Sequence, residues 1–209
     1  NRGIVYCKLE DYSKAVYEFN EAIEISPEYA EAFYNRGIAY KNLQYYPKAI
    51  SDFSKAIFIN FKYAEAYYYR GLVYFDLKEY SKAISDFNKT TKINPKYAEA
   101  YYYRGLVNYD LEKYSKAISD FSKAIKINPN LAVAYYNRGN AYYDLEKYSK
   151  AISDYTKAIN LNPNYAEAYN NRGNAYCNSG NKTKACEDWR KAYSLGITDI
   201  KELVDEFCK

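Results

Sequence analysis

Residues 132–165 read AVAYYNRGNAYYDLEKYSKAISDYTKAINLNPNY, and the same pattern recurs along the chain. A glycine returns every 34 residues, at Gly3, Gly37, Gly71, Gly105, Gly139 and Gly173. In the same register an alanine returns at Ala15, Ala49, Ala83, Ala117, Ala151 and Ala185, and an aromatic residue at Phe19, Phe53, Phe87, Phe121, Tyr155 and Trp189. A fixed period of this length is typical of a protein built from stacked repeats.

Each repeat is predicted to contain two helices. Both helices carry an apolar face with helical spacing. In the repeat that starts at residue 30, the face of the first helix is Ala30, Phe33, Gly37 and Tyr40. The face of the second helix is Ala49, Ile50, Phe53, Ala56 and Ile57. The segment 43–46 between them is long enough only for a turn, so the two helices are expected to be antiparallel. Serines are predicted to cap the second helices at Ser81, Ser115 and Ser149. The Asn-Pro pairs at 94–95, 128–129 and 162–163 are expected to end those helices.

A 34-residue helix–turn–helix with these Gly, Ala, aromatic and Pro positions resembles the tetratricopeptide repeat family. The resemblance implies an all-α, right-handed superhelical solenoid over residues 1–209. We expect a partial first repeat at 1–29, full repeats at 30–63, 64–97, 98–131, 132–165 and 166–197, and a capping helix at 198–209. Thr198 is predicted to cap that last helix, whose apolar stripe is Ile200, Leu203, Val204 and Phe207. Because the first repeat is incomplete, we expect a piece of a longer chain that self-associates through its uncapped N-terminal end.

In this family the stacked first helices line the concave wall of the superhelix, so the face of each first helix away from its apolar stripe is a candidate binding surface. The predicted peptide-binding residues are Tyr34, Asn35, Tyr68, Tyr69, Tyr102, Tyr103, Tyr136, Asn137, Asn140, Asn171 and Asn174. The tyrosines offer amphipathic contact area, and the two central pairs are predicted to carry most of the binding energy. The amides both donate and accept hydrogen bonds, which suits an extended peptide backbone. The tyrosines at 69 and 103 are expected to contribute nothing to stability.

Charged residues that recur at the same position of successive repeats suggest the kind of partner. Glu31, Glu65 and Glu99 stand where chaperone-binding members of the family carry cations, so the sequence has no carboxylate clamp and favours a neutral or basic partner. The arginines beside the glycines are predicted to pair with aspartates 16 residues later, as in Arg36–Asp52, contributing about 0–1 kcal/mol per pair. Those aspartates also lie between lysines of the second helices and are expected to neutralise them.

Composition limits the chemistry. The chain has 30 basic and 26 acidic residues and no histidine. It shows no histidine-based dyad and no phosphate-binding glycine loop, so we expect neither an enzyme nor a cofactor. Its four cysteines form no C-x-x-C pair, so we expect no metal site. Cys186 is interpreted as a small core residue, with a Cys177–Cys186 disulfide as the alternative. Free thiols favour a reducing compartment such as the cytoplasm.

The sequence therefore predicts a non-catalytic scaffold that binds an extended segment of another protein. Two alternatives remain open: a helical repeat protein that binds single-stranded RNA, and the substrate-recruiting repeats of a larger enzyme. Acidic residues on the wall argue against nucleic acid. No apolar run reaches 18 residues, so membrane insertion is not expected.

Overall fold

The computed structural model describes residues 2–208, which form α-helices joined by short turns and contain no strand. The chain divides into two compact units, unit 1 (Asn1–Ala100) and unit 2 (Tyr101–Lys209). The helices are α1 (Arg2–Lys8), α2 (Tyr12–Ile25), α3 (Ala30–Asn42), α4 (Tyr46–Ile59), α5 (Ala64–Asp76), α6 (Tyr80–Ile93), α7 (Ala98–Asp110), α8 (Tyr114–Ile127), α9 (Ala132–Asp144), α10 (Tyr148–Leu161), α11 (Ala166–Asn178), α12 (Lys182–Ser194) and α13 (Lys201–Phe207). The predicted all-α repeat fold is confirmed.

Three residues join the two helices of each pair, and the middle one adopts the left-handed conformation. Between α3 and α4 this residue is Gln44, at φ 59°, and the Tyr45 N–H reaches back to the Tyr40 carbonyl at 2.8 Å. This bond satisfies a carbonyl at the end of α3 and reverses the chain. Only between α11 and α12 is the left-handed residue a glycine, Gly180, at φ 84°.

The second helices end at an asparagine turn. The Asn60 side-chain oxygen accepts from the Lys62 N–H at 3.0 Å, and Asn94, Asn128 and Asn162 make the equivalent bond. The turn after Asn60 therefore forms although Phe61 replaces the proline of the other repeats.

The predicted serine caps are wrong. Each second helix begins one residue before its serine, and Glu79, Lys113 and Lys147 occupy the cap positions without a side-chain cap bond. The expected N-cap of the last helix is wrong too, since Thr198 begins a 3-10 turn (Thr198–Ile200) before α13.

The repeated glycines let the second-helix aromatic rings lie directly against the first helix. A Cβ built on Gly139 would lie 2.7 Å from the Tyr155 ring, and one on Gly173 equally close to Trp189. Because Tyr155 is only 1% exposed, its ring has no space to move aside. The buried stripe of α3 is Ala32, Phe33, Gly37 and Ala39, while the predicted Ala30 and Tyr40 are half-buried.

The predicted Arg–Asp pairs form in all five repeats and are more buried than expected. In each, the guanidinium donates through two nitrogens to both carboxylate oxygens, as when Arg36 binds Asp52 at 2.7 Å twice. The other pairs are Arg70–Asp86, Arg104–Asp120, Arg138–Asp154 and Arg172–Asp188. The aspartate side chains are 5–9% exposed and the arginines 15–19%. A surface-pair energy therefore does not describe these pairs, because removal of one partner would leave the other charge buried without compensation.

These arginines also connect neighbouring repeats through their third nitrogen. Arg138 Nη1 donates to the Ser122 hydroxyl at 2.9 Å, and Arg172 Nη1 to the Thr156 hydroxyl at 3.0 Å. In unit 1, Arg36 and Arg70 make the corresponding bonds to Asn20 and Ser54.

Because the aspartates are occupied by arginine, they do not neutralise the lysines of the second helices, contrary to the prediction. Lys116, Lys123 and Lys126 of α8 are exposed, whereas Asp120 is buried against Arg104. The outer surface of the second helices in unit 2 therefore keeps its positive charge.

The C-terminal helix closes unit 2 and is held by a disulfide. Three of its predicted stripe residues, Ile200, Val204 and Phe207, pack on a cluster that includes Trp189, whereas Leu203 is 36% exposed. Cys186 bonds to Cys208, which corrects both readings of Cys186, as a core thiol and as the partner of Cys177. Cys7 and Cys177 are free thiols. This disulfide removes the argument from free thiols for a reducing compartment.

Candidate functional site

The first helices place equivalent side chains next to each other within each unit, so that residues 35 positions apart touch. In unit 1 the Tyr34 and Tyr69 rings meet edge to face at 5.6 Å, and Lys41 Nζ lies 3.5 Å from Asp76 Oδ2. In unit 2 the Asn137 amide donates to the Tyr102 hydroxyl at 3.1 Å. We call this surface, formed by the first helices, the wall.

On the unit 1 wall, the tyrosines belong partly to the core. Tyr68 is 8% exposed, with its ring centroid 6.1 Å from Phe87 and 4.8 Å from Tyr97. Tyr34 packs in the same way against Phe53 at 6.2 Å and Tyr63 at 4.9 Å. Burial raises the pKa of Tyr34 strongly and that of Tyr63 to about 12. The prediction that this column lies outside the packing surface is wrong for Tyr68.

Tyr69 also contributes to packing, since its ring lies 6.1 Å from Phe53 in the cluster of Ala49, Phe53 and Val73. The premise that this ring lies outside the packing face is therefore wrong. Asn35 donates to the Glu31 carbonyl of its own helix at 2.8 Å. Tyr103, in unit 2, is half-buried and meets Tyr102 edge to face at 5.3 Å.

The unit 2 wall carries a series of amide–phenol hydrogen bonds between adjacent first helices. Asn171 donates to the Tyr136 hydroxyl at 3.0 Å, and Asn178 to the Tyr143 hydroxyl at 2.8 Å. Burial raises the pKa of Tyr136, and it raises that of Tyr102 to about 12. The predicted amides Asn137 and Asn171 therefore hold neighbouring repeats together.

Two further amides are oriented by the aromatic residues of the second helices. The Tyr155 hydroxyl donates to Asn140 Oδ1 at 2.8 Å, and the Trp189 indole donates to Asn174 Oδ1 at 3.0 Å. Indole nitrogen can only donate, so Asn174 must present its oxygen to Trp189. The Asn174 NH₂ group makes no hydrogen bond within residues 2–208 and is left to donate to a ligand. The Asn140 side chain has further partners in the wall, because its oxygen also accepts from Asn171 and its amide bonds with the Tyr136 hydroxyl.

These amides line a cavity of about 200 Å³ in unit 2. Its lining residues are Tyr109, Asn140, Tyr143, Asp144, Tyr155, Asn171 and Asn174. The three asparagines were predicted as binding residues from the sequence, whereas the tyrosines were not. Tyr109 precedes Asp144 by 35 residues, and Lys41 precedes Asp76 by the same number. This spacing could have identified Tyr109 as a neighbour of Asp144.

Asp144, the last residue of α9, supplies the negative charge of this cavity. Its Oδ2 accepts from the Tyr109 hydroxyl at 2.5 Å. Burial, and then this bond to Asp144, raise the pKa of Tyr109, so the phenol stays protonated. No lysine or arginine within residues 2–208 lies within ion-pair distance of Asp144.

No group of Cys, Asp and Glu side chains within residues 2–208 is arranged to hold a metal ion. Within the same residues, no helix has the length and apolar character needed to cross a bilayer.

Comparison with known families shows the same repeat along the chain. A model described as TPR repeat matches residues 3–44, 107–145 and 139–180. Models described as tetratricopeptide repeat match residues 30–63, 64–97 and 166–198. No curated protein sequence matches the chain significantly.

Solved structures with the same architecture include two at more than 25% identity. One is YrrB, described as a TPR protein with an unusual peptide-binding site, at 26% identity and TM-score 0.75, covering 85% of this chain and 92% of that one. Another is MamA, at 28% identity and TM-score 0.74, covering 79% and 96%. The pilF protein of Pseudomonas aeruginosa, at 19% identity and TM-score 0.80, covers 98% and 89% and shares the fold.

Proposed function

This chain belongs to the tetratricopeptide repeat family, and on that premise we propose that it is a non-catalytic scaffold whose wall binds an extended segment of another protein. The repeat fold and its structural neighbours support a protein-binding scaffold. The finer part of the proposal, binding along the wall, rests on the chemistry of that surface.

The observation that carries the proposal is the orientation of the wall amides in unit 2. With its oxygen held by Trp189, Asn174 presents N–H donors in the cavity that also contains the carboxylate of Asp144 and the oriented amide of Asn140. An extended backbone offers alternating carbonyl acceptors and N–H donors, which such a mixed surface matches. Aromatic rings next to these groups add contact area at low entropic cost.

The charge of the wall favours a neutral or basic segment. Helices α9 and α11 contain no lysine, and their arginines, Arg138 and Arg172, are bound to buried aspartates. Asp144 and Glu167 are exposed on the same helices. An acidic segment or a phosphate backbone would meet uncompensated negative charge there.

A random peptide library displayed on phage, selected against the whole chain, tests the proposal. Selected peptides should bind the wild-type chain by fluorescence anisotropy. Tyr103→Ala in unit 2 or Asn35→Ala in unit 1 should weaken them about tenfold, as expected for a modest interface anchor. Which of the two substitutions matters identifies the unit that binds.

The matched control is Lys123→Ala with Lys157→Ala on exposed positions of the second helices, which should leave binding unchanged. Circular dichroism should show that every variant is folded. Peptides that bind the double lysine variant more weakly than wild type, but bind Tyr103→Ala and Asn35→Ala normally, would contradict binding at the wall. Binding of single-stranded oligo(U) at the wall, weakened by Tyr103→Ala and by salt, would favour the RNA alternative.

A further inference from the structure

The last residue of a first helix is an aspartate in α5, α7 and α9. Two of these aspartates, Asp76 in unit 1 and Asp144 in unit 2, have different neighbours. Asp76 ends α5 and Asp144 ends α9, in equivalent positions of their repeats. The residue 35 positions earlier reaches each carboxylate from the preceding first helix. For Asp76 that residue is Lys41, and for Asp144 it is Tyr109.

In unit 1 this carboxylate already has a cation. Lys41 Nζ lies 3.5 Å from Asp76 Oδ2, and the lysine side chain is only 25% exposed although it is charged. The chain itself thus shows that an ammonium group fits beside a carboxylate at this position of the wall.

In unit 2 the phenol of Tyr109 replaces the ammonium and leaves the charge of Asp144 uncompensated. The hydroxyl bond uses Oδ2, and Oδ1 accepts no hydrogen bond within residues 2–208. The carboxylate also lies at the C-terminus of α9, where the helix dipole adds negative potential. Both effects attract a cation from outside the chain.

The cavity beside Asp144 has the size and lining for such a cation. It measures about 200 Å³ and is bordered by the rings of Tyr109 and Tyr143. Aromatic faces next to a carboxylate are a common environment for ammonium groups, because ring and carboxylate both attract positive charge. An aliphatic lysine stem can lie along the rings while its ammonium reaches the carboxylate.

We propose that this cavity binds the ammonium group of a lysine side chain in the partner segment, in the role that Lys41 has for Asp76 in unit 1. The proposal rests on the proposed function, which supplies the segment, and it names the residue type that the segment must carry. The amide donor of Asn174 holds the backbone next to this lysine, and Asp144 determines its register.

The test uses the whole chain and the same random peptide library, selected in parallel on wild type, Asp144→Asn and Asp76→Asn. Asp144→Asn keeps an acceptor for Tyr109 and removes the charge, whereas Asp76→Asn is the matched change at a carboxylate that Lys41 already occupies. Peptides selected on wild type should be enriched in lysine at one position. Their affinity should fall about tenfold or more in Asp144→Asn, because the peptide ammonium loses its charged acceptor, and it should stay unchanged in Asp76→Asn.

Two further measurements separate charge from shape. Replacing the enriched lysine by norleucine should weaken a selected peptide to the same extent as Asp144→Asn. Tyr109→Lys should supply an internal ammonium and abolish the lysine preference in the same way that Lys41 satisfies Asp76.

The outcomes distinguish this proposal from the scaffold itself. Peptides that bind without lysine enrichment, or that bind Asp144→Asn as well as wild type, overturn the lysine pocket and leave the scaffold in place. Enrichment of arginine in place of lysine overturns the ammonium assignment. Selection of no peptide at all overturns both proposals.

Discussion

Units 1 and 2 have the same internal framework and different walls. Each repeat in both units carries a glycine against an aromatic ring and an arginine bound to a buried aspartate. Wall tyrosines pack on second-helix rings in both units. Unit 1 adds a Lys41–Asp76 pair, whereas unit 2 adds amide–phenol bonds and the open carboxylate of Asp144. The framework is constrained by packing and is therefore uniform, while the wall is free to differ and can specify a ligand.

The largest effect is expected for the arginines, which test whether the framework is the same in both units. Arg70→Ala in unit 1 and Arg138→Ala in unit 2 should each lower the free energy of unfolding by about 3–5 kcal/mol, because Asp86 or Asp154 is left buried without its partner. Urea denaturation, with hydrogen exchange followed in each unit, measures this loss.

The control is Lys82→Ala, which removes the exposed Lys82–Glu79 pair and should cost less than about 1 kcal/mol. If only one of the two arginine substitutions lowered the free energy of unfolding, the frameworks of the two units would not be equivalent.

A smaller effect, confined to unit 2, is expected from the disulfide. Cys208→Ser opens a link between residues 22 positions apart and should lower the stability of unit 2 by about 2–3 kcal/mol. Hydrogen exchange should quicken in α12 and α13 and stay unchanged in unit 1. Cys177→Ser, at a free thiol of the same unit, is the matched control. Equal effects of the two changes would contradict a stabilising role for this disulfide.

The difference between the walls can be measured with single hydroxyl groups. Tyr136→Phe should cost about 1 kcal/mol, because its hydroxyl accepts from Asn171, whereas Tyr34→Phe should cost nearly nothing. The Tyr34 hydroxyl makes no hydrogen bond to residues 2–208, and both changes keep the packed ring. Thermal unfolding of the two variants gives the comparison, and similar costs would show that the amide–phenol bonds do not stabilise unit 2.

The smallest effects are expected at the left-handed residue between the two helices of each pair. This residue is a glycine in one pair of unit 2 and in no pair of unit 1. Gln44→Gly in unit 1 should stabilise and Gly180→Gln in unit 2 should destabilise, each by about 0.5 kcal/mol. Opposite signs in chemical denaturation would support backbone strain as the cause, and equal signs would contradict it.

Features that recur in every repeat could be predicted from the sequence, because one packing requirement acts on each copy. The 34-residue period, the glycine–aromatic contact and the Arg–Asp pairs are of this kind. The burial of Tyr68 was missed because it depends on the neighbouring Tyr97 as well as on its own helix. The cavity was missed because Trp189, on another helix, orients Asn174. The Cys186–Cys208 bond depends on where α13 folds back, which no periodicity specifies.

The arginines that bridge repeats have a consequence for how such a chain can change its length. Arg138 donates to Ser122 and Arg172 to Thr156, each 16 residues earlier. Excision of residues 132–165 would bring Arg172 opposite Ser122, exchanging one hydroxyl acceptor for another. The arginine bond across the new junction therefore keeps its partner type, and loss or gain of a whole repeat leaves no guanidinium unsatisfied. A cut that is not a multiple of 34 residues would misalign this register, so the repeat is the increment in which the chain can change length.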